Sequence, residues 1–177
     1  MSDQADITFR PGTEADALCL SVLATQVFLD TYATDGIRAA IAHEVREQLS
    51  MPAMSTQLAT PHMRFIVAER AGHMLGFAQL TLDAAHDLMP HQQAAELNRL
   101  YVQERFTGRG IGRALLAQAE ALARTEGAPA MWLTAWVRNA RALAFYPRCG
   151  YQDQGPTIYE FRGEQHGNRF FAKALDT

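Results

Sequence analysis

Leu100-Tyr101-Val102, a spacer, then Thr107-Gly108-Arg109-Gly110-Ile111-Gly112-Arg113-Ala114-Leu115-Leu116 is the stretch that decides the fold. A strand-like apolar run enters a glycine-rich loop, and the loop enters a helix. The helix carries Ile111, Leu115, Leu116, Ala119, Leu122 and Ala123 on one face until Gly127 and Pro129 stop it. Glycines at such a junction let the backbone turn tightly and expose several N–H groups, and the helix N-terminus adds partial positive charge. The product is an anion nest, with Arg109 and Arg113 adding full charges suited to a ligand with more than one phosphate. A P-loop would need Gly-Lys followed by Ser or Thr, where this chain has Gly112-Arg113-Ala114. A dinucleotide fingerprint would need glycine at position 113. A tight strand-to-helix turn with no ligand is the bland alternative.

Working outward, Met131 to Val137 reads as a strand, Asn139 to about Arg148 as a short helix, and Tyr151 to Phe161 and Arg169 to Leu175 as final strands. Upstream lie a strand from Glu96 to Val102 and a hairpin of Arg64 to Glu69 with Met74 to Leu82 around Ala71-Gly72-His73. Ile7 to Arg10 is a first strand. Two helices follow, Asp16 to about Leu29 with Leu18, Val22 and Leu29 in phase, and Ile37 to Leu49 with Ile37, Ile41, Val45 and Leu49 in phase. Ser50 to Pro61 has no clear period and reads as a loop or short irregular helix. The order is β-α-α-β-β-β-α-β-α-β-β.

The 177 residues, 48% hydrophobic and 20% charged, match an ordinary globular chain and favour one domain over residues 1–177. A net charge of −3 gives no bulk reason to bind nucleic acid, and no apolar run is long enough to cross a bilayer. The acidic opening Met1-Ser2-Asp3-Gln4-Ala5-Asp6 lacks the features of a secretory signal, so a reducing cytoplasm is expected. Cys19 and Cys149 stand far apart and in no ligand-like spacing. No metal is expected.

Thr107-Gly108-Arg109-Gly110-Ile111-Gly112 closely resembles the acetyl-coenzyme A motif Gln/Arg-x-x-Gly-x-Gly/Ala of the GNAT superfamily of N-acetyltransferases, with Thr107 at the Gln/Arg position. That departure removes one side chain near the pyrophosphate and leaves the backbone cradle. Asn139-Ala140-Arg141-Ala142-Leu143-Ala144-Phe145-Tyr146-Pro147-Arg148-Cys149-Gly150-Tyr151 resembles the family's Asn-x-x-Ala-x-x-Phe-Tyr-x-x-x-Gly-Phe segment. Ile7 to Ala17 and Leu75-Gly76-Phe77 match its first strand, helix start and third strand. The resemblance covers nearly the whole chain. It implies an α/β (mixed α+β) GNAT fold, with a central mixed sheet of about seven strands splayed between the fourth and fifth and flanked by about four helices. Val27-Phe28-Leu29-Asp30-Thr31-Tyr32 and Ala95 to Val102 look most like a bacterial branch that includes polyamine acetyltransferases.

The implied activity is transfer of acetyl from acetyl-coenzyme A to a primary amine, with small amines and polyamines favoured. Protein lysines or N-termini are the alternative within the class, and a non-catalytic coenzyme A module is the alternative outside it. By resemblance the backbone of Leu100, Tyr101 and Val102 contacts pantetheine, and residues Thr107, Gly108, Arg109, Gly110, Ile111, Gly112 and Arg113 hold the pyrophosphate. Asn139 is a common N-cap type and by resemblance also bonds pantetheine. Arg148 is either a solvated charge or a contact to the ribose phosphate. Tyr146 is implied as the general acid that protonates the departing thiolate; it follows Asn139 by about two helical turns. Its bland reading is a core aromatic beside Phe145. Glu96 is the candidate general base, with water chains as the alternative.

No catalytic triad order, His-Glu-x-x-His helix or cysteine cluster appears, so direct attack of the amine on the thioester is expected. His62, His73, His86 and His91 fall in loops and are expected to face solvent. Acceptor choice is expected to reside in Asp16 to Leu49, Ser50 to Pro61 and Asp83 to Gln93, with Asp35, Glu44, Glu47, Asp83 and Asp87 available to attract a cation. Dimers are common among such relatives, but the sequence does not encode the oligomeric state legibly.

Overall fold

The computed structural model describes residues 6–90 and 93–175, so His91 and Gln92 of the Asp83 to Gln93 stretch lie outside the described residues. In chain order the elements are β1 (Thr8–Pro11), α1 (Ala17–Tyr32), α2 (Ala39–Gln48), α3 (Met51–Ala59), β2 (Met63–Arg70), β3 (His73–Thr81) and β4 (Ala95–Val102). Then come α4 (Ile111–Thr125), β5 (Ala130–Trp136), α5 (Ala140–Arg148), β6 (Gln152–Phe161) and β7 (Glu164–Ala174). The strands form one seven-stranded mixed sheet in the order β1-β2-β3-β4-β5-β7-β6. The chain divides into two units, the described residues up to Leu80 with Arg99–Ala119, and Thr81–Asn98 with the described residues from Glu120 onward.

In the first unit β1 pairs antiparallel with β2, Thr8 opposite Glu69. Arg10 joins them by side chain, donating to both oxygens of Asp16 at 2.8 Å and to Glu69 at 2.9 Å. The β2–β3 hairpin turns through Ala71 (φ 50°) and Gly72 (φ 77°), the two left-handed residues that a tight hairpin of matching twist requires. Leu20, Met54, Val67, Phe77, Leu80, Leu115 and Leu116 are fully buried in this unit. Of the α4 stripe read from periodicity, Ile111, Leu115, Leu116 and Ala119 are buried in this unit, while in the second unit Ala123 is buried and Leu122 half-buried.

Three expectations need correction here. Ser50 to Pro61 contains a regular helix, α3, which brings the helices to five. Ser50 caps it by accepting from the Ala53 N–H, and Pro52 occupies the first turn, where its missing N–H costs no hydrogen bond. On α1 the expected face is the wrong one. Leu18 and Val22 are 57% and 64% exposed, and Ala17, Leu20, Leu23, Ala24 and Phe28 are buried instead. Ile37 lies outside α2 and is 67% exposed.

In the second unit the parallel β4–β5 ladder pairs Ala95 with Met131 and Glu96 with Trp132, and goes no further within that unit. Antiparallel β7 runs alongside β5 from Ala130↔Ala174 to Trp136↔Asn168, and β6 pairs with the outer edge of β7. The β7 strand starts at Glu164, five residues before the expected Arg169, because the polar run Glu164–Asn168 continues the hairpin ladder with β6. Arg162 and Gly163 turn it at positive φ. His86 also differs from expectation. It is half-buried, its ring stacked on Phe170 with centres 4.4 Å apart and tilted against Trp132 at 4.9 Å, and Trp132 Nε1 donates to the Ala84 carbonyl at 3.0 Å. His62 and His73 are exposed as expected.

Candidate active site

In the first unit, Gln103 N–H donates to the Leu75 carbonyl at 2.9 Å, and a single 3₁₀ turn over Glu104–Phe106 leads into the glycine loop. Thr107 closes that turn through its N–H and hydroxyl, both donated to the Glu104 carbonyl. The Thr107 side chain is thus committed to the loop's own backbone. Gly108 and Gly110 adopt φ of 73° and 81°, values that L side chains rarely adopt. The first helical bond of α4 runs from Ala114 N–H to the Gly110 carbonyl at 3.0 Å. The amides of Ile111, Gly112 and Arg113 precede that bond and have no acceptor within the helix.

The Arg109 guanidinium lies 5.6 Å from the centre of the Phe106 ring. Arg113 is exposed and makes no hydrogen bond or ion pair among the described residues. Left-handed glycines, free first-turn amides and an unpaired cation fit a diphosphate. Upstream, a Cβ on Gly76 would come within 2.6 Å of the Tyr101 carbonyl and 3.2 Å of Val102 Cα. A bare backbone in β3 therefore lets β4 lie close at Tyr101 and Val102. The sequence contains this glycine, but nothing there marks the close approach.

In the second unit, α5 begins at Asn139, whose Oδ1 accepts the Ala142 N–H at 3.1 Å. The capping role is therefore real, and the Asn139 amide nitrogen has no partner among the described residues. Tyr146 is buried, its ring edge-on to Phe145 at 5.2 Å and to Tyr151 at 5.7 Å. Arg148, in the last turn, is exposed and unpaired among the described residues. Glu96 is half-buried on β4, and that burial pushes its carboxyl above the ordinary range while a hydrogen bond with Asn98 pulls it back. Asn98 is held in turn by the Thr81 hydroxyl, which donates to its Oδ1 at 2.8 Å.

Sequence reading missed the cluster behind Tyr146. Glu120, 6% exposed on α4, accepts from Lys173 Nζ at 3.0 and 2.9 Å and from the Tyr151 hydroxyl at 3.1 Å. Lys173 also donates to the Cys149 carbonyl at 3.0 Å, which ties the end of α5 to α4 and β7. Burial and the Glu120 carboxylate together drive the Tyr151 phenol well above its usual range, so it stays a donor. One signal was legible: a glutamate beside the apolar stripe of α4.

An anion cradle at a strand-to-helix junction of a mixed α/β sheet marks a protein whose ligand carries phosphate. The chain belongs to the Acetyltransferase (GNAT) family, whose sequence model matches residues 31–151. An N-acetyltransferase from Lactobacillus delbrueckii subsp. lactis is 23% identical over 163 residues, 92% of this chain and 94% of that one. The spermine/spermidine N(1)-acetyltransferase of Bacillus subtilis is 30% identical over 95 residues, 53% of this chain and 61% of that one. The same fold occurs in the PaiA N-acetyltransferase of Thermoplasma acidophilum in complex with coenzyme A, with a TM-score of 0.72, 22% identity, and coverage of 98% and 99%. This chain is accordingly a GNAT acetyltransferase. No helix among the described residues is long and apolar enough to cross a membrane, and those residues hold no group of three metal-ligand side chains.

Proposed function

We propose that this protein transfers acetyl from acetyl-coenzyme A to the nitrogen of a small primary amine. The observation that carries the donor assignment is the glycine cradle, where positive φ at Gly108 and Gly110 precedes unbonded first-turn amides and the unpaired Arg113. Similarity to a spermine/spermidine acetyltransferase supports a small amine as acceptor.

When bound, acetyl-coenzyme A supplies an activated acetyl thioester. The amides of Ile111, Gly112 and Arg113 and the guanidinium of Arg113 hold the diphosphate, and Arg109 adds charge beside it. Backbone groups of Leu100, Tyr101 and Val102 orient the pantetheine arm, and one of those amides polarises the carbonyl. By resemblance, the Asn139 amide nitrogen, without a partner among the described residues, would donate to pantetheine, and Arg148 would meet the ribose phosphate. Glu96 takes a proton from the incoming ammonium, a task that suits a carboxylate raised by burial. By resemblance, Tyr146 is the residue that would give a proton to the departing thiolate.

Incubation with acetyl-coenzyme A and a panel of amines, read by release of free thiol, tests the reading. Thiol release that depends on one class of amine is expected. Coenzyme A should also raise the melting temperature, by about 2.7 kcal/mol of stabilisation at a hundredfold excess over its dissociation constant. A larger shift with NAD or ATP would overturn the donor assignment.

A further inference from the structure

Arg99 belongs to none of the roles above. It lies on β4, one residue before Leu100, in the same unit as the glycine cradle. Its Nη1 donates to Gln57 Oε1 at 2.9 Å and makes a short contact with Gln79 Oε1. Gln79, 1% exposed, gives its own Nε2 to Gln57 Oε1 at 2.9 Å and to Met63 Sδ at 3.6 Å. Gln57 Nε2 is committed to the Gln48 carbonyl at 2.9 Å. With both amide nitrogens occupied elsewhere, both amide oxygens are fixed toward the guanidinium.

The result is a half-buried cation whose partners are all neutral. Arg99 makes no ion pair and no further hydrogen bond among the described residues. Charges withdrawn from water are ordinarily paired, since neutral amides offset only part of the lost hydration. The two N–H groups of Nη1 are used, which leaves those of Nε and Nη2. That edge of a guanidinium takes the two oxygens of a carboxylate side by side. The glutamines hold the fork still, so little side-chain freedom remains to be lost when an anion docks.

We infer that Arg99 is a carboxylate-binding residue of the acceptor site, and that the preferred acceptor is an amine that also carries a carboxylate, as an amino acid does. This rests on the acetyl-transfer reading above and narrows its acceptor class. In that reading the acetyl carbonyl faces the backbone of Leu100–Val102, and neighbouring Cα atoms are about 3.8 Å apart. An amine whose carboxylate docks on Arg99 would then span the length of the arginine side chain to present its nitrogen there, a reach that the carbon chain of a diamino acid supplies. A bare polyamine has nothing to offer this fork, and its positive charge opposes it.

Matched pairs that differ only in the carboxylate provide the test: lysine and cadaverine, ornithine and putrescine, arginine and agmatine. Each is assayed for kcat/KM, and separately for the melting-temperature shift it adds to the coenzyme A-loaded protein. The expected result is a preference of about tenfold or more for the carboxylated member of at least one pair. In Arg99→Gln that ratio should fall to near unity through KM, and the added shift should vanish while the shift from coenzyme A alone persists. Arg99→Lys, which keeps the charge without the fork, should lie between, and it serves if the glutamine variant does not fold. A preference for the decarboxylated members, or a carboxylate preference that survives both substitutions, overturns the inference. If no amine is acetylated, the acetyl-transfer reading falls, and the carboxylate-dependent shift still judges Arg99.

Discussion

Replacing Lys173 by methionine removes the cation that neutralises Glu120. The parent ammonium lies 3.0 and 2.9 Å from the two carboxylate oxygens and 3.0 Å from the Cys149 carbonyl. In the variant, Glu120 retains the Tyr151 hydroxyl at 3.1 Å and Arg124 at 3.9 Å, the latter too far for a hydrogen bond. Breaking a buried ion pair from one side costs about 3–5 kcal/mol. The Glu120 side chain is 8% exposed but that of Lys173 is 28% exposed, so solvent already screens part of the attraction. An expected loss of about 2–3 kcal/mol follows. For a chain of this size that lowers the melting temperature by about 4–12 °C. Denaturation of parent, Lys173→Met, Glu120→Gln and the double variant measures the loss and the coupling together. Glu120→Gln should lose less, because the remaining ammonium reaches water. A Lys173→Met variant within about 0.5 kcal/mol of the parent would refute the reasoning.

Tyr146→Phe keeps the ring contacts and deletes the proton, so turnover should drop about 10²-fold, with coenzyme A affinity held and stability changed by about 1 kcal/mol at most. Unchanged turnover, with the chemical step shown to limit the rate, removes the general-acid role. Gly110→Val puts a β-branched residue at φ 81° and should weaken coenzyme A binding about tenfold or more; a well-folded variant with parental affinity counts against the cradle. The carboxyl of Asp16 is lowered from 3.8 to about 2, with the hydrogen bonds from Arg10 the largest cause. Its stabilisation is fully present above the unfolded value and lost as pH falls through the folded one. Roughly 1–2 kcal/mol of the difference between parent and Asp16→Asn should therefore disappear between about pH 5 and pH 2, measured by chemical denaturation. If Glu96 is the base, kcat/KM rises along an acid limb above the ordinary carboxylate range. Asn98→Ala, which deletes the opposing hydrogen bond, should move that limb higher; an unmoved limb assigns it to another group.

Local signals made much of this legible in the sequence. The glycine loop, the α4 stripe, the Asn139 cap and the polar turns each lie within a few residues, where periodicity and backbone preference operate. The α1 face was illegible because apolar residues surround that helix: Leu18 and Val22 have the right spacing, yet Leu20, Leu23 and Phe28 compete and win. Helix α3 stayed open between a loop and a short irregular helix because Pro52, Ser55 and Thr56 interrupt any apolar period, while packing of Met54 and the Ser50 cap hold it in place. The Lys173–Glu120 and Arg99–Gln57 contacts span 53 and 42 residues, distances over which one sequence carries no signal. The same holds for Gly76, whose reason for being glycine is a carbonyl on another strand.

The strand order of the second unit also has a consequence for biosynthesis. β7 sits between β5 and β6, although it leaves the ribosome after both. Until Glu164–Ala174 has emerged, β5 lacks its antiparallel neighbour and β6 has no strand to pair with. The nascent chain must therefore carry Trp132 and Tyr159 without their β7 partners until that strand has emerged. Non-local pairing of this kind is slow and leaves apolar strand edges open to other chains. During that interval the nascent protein is most exposed to aggregation, and the arrival of one strand closes it.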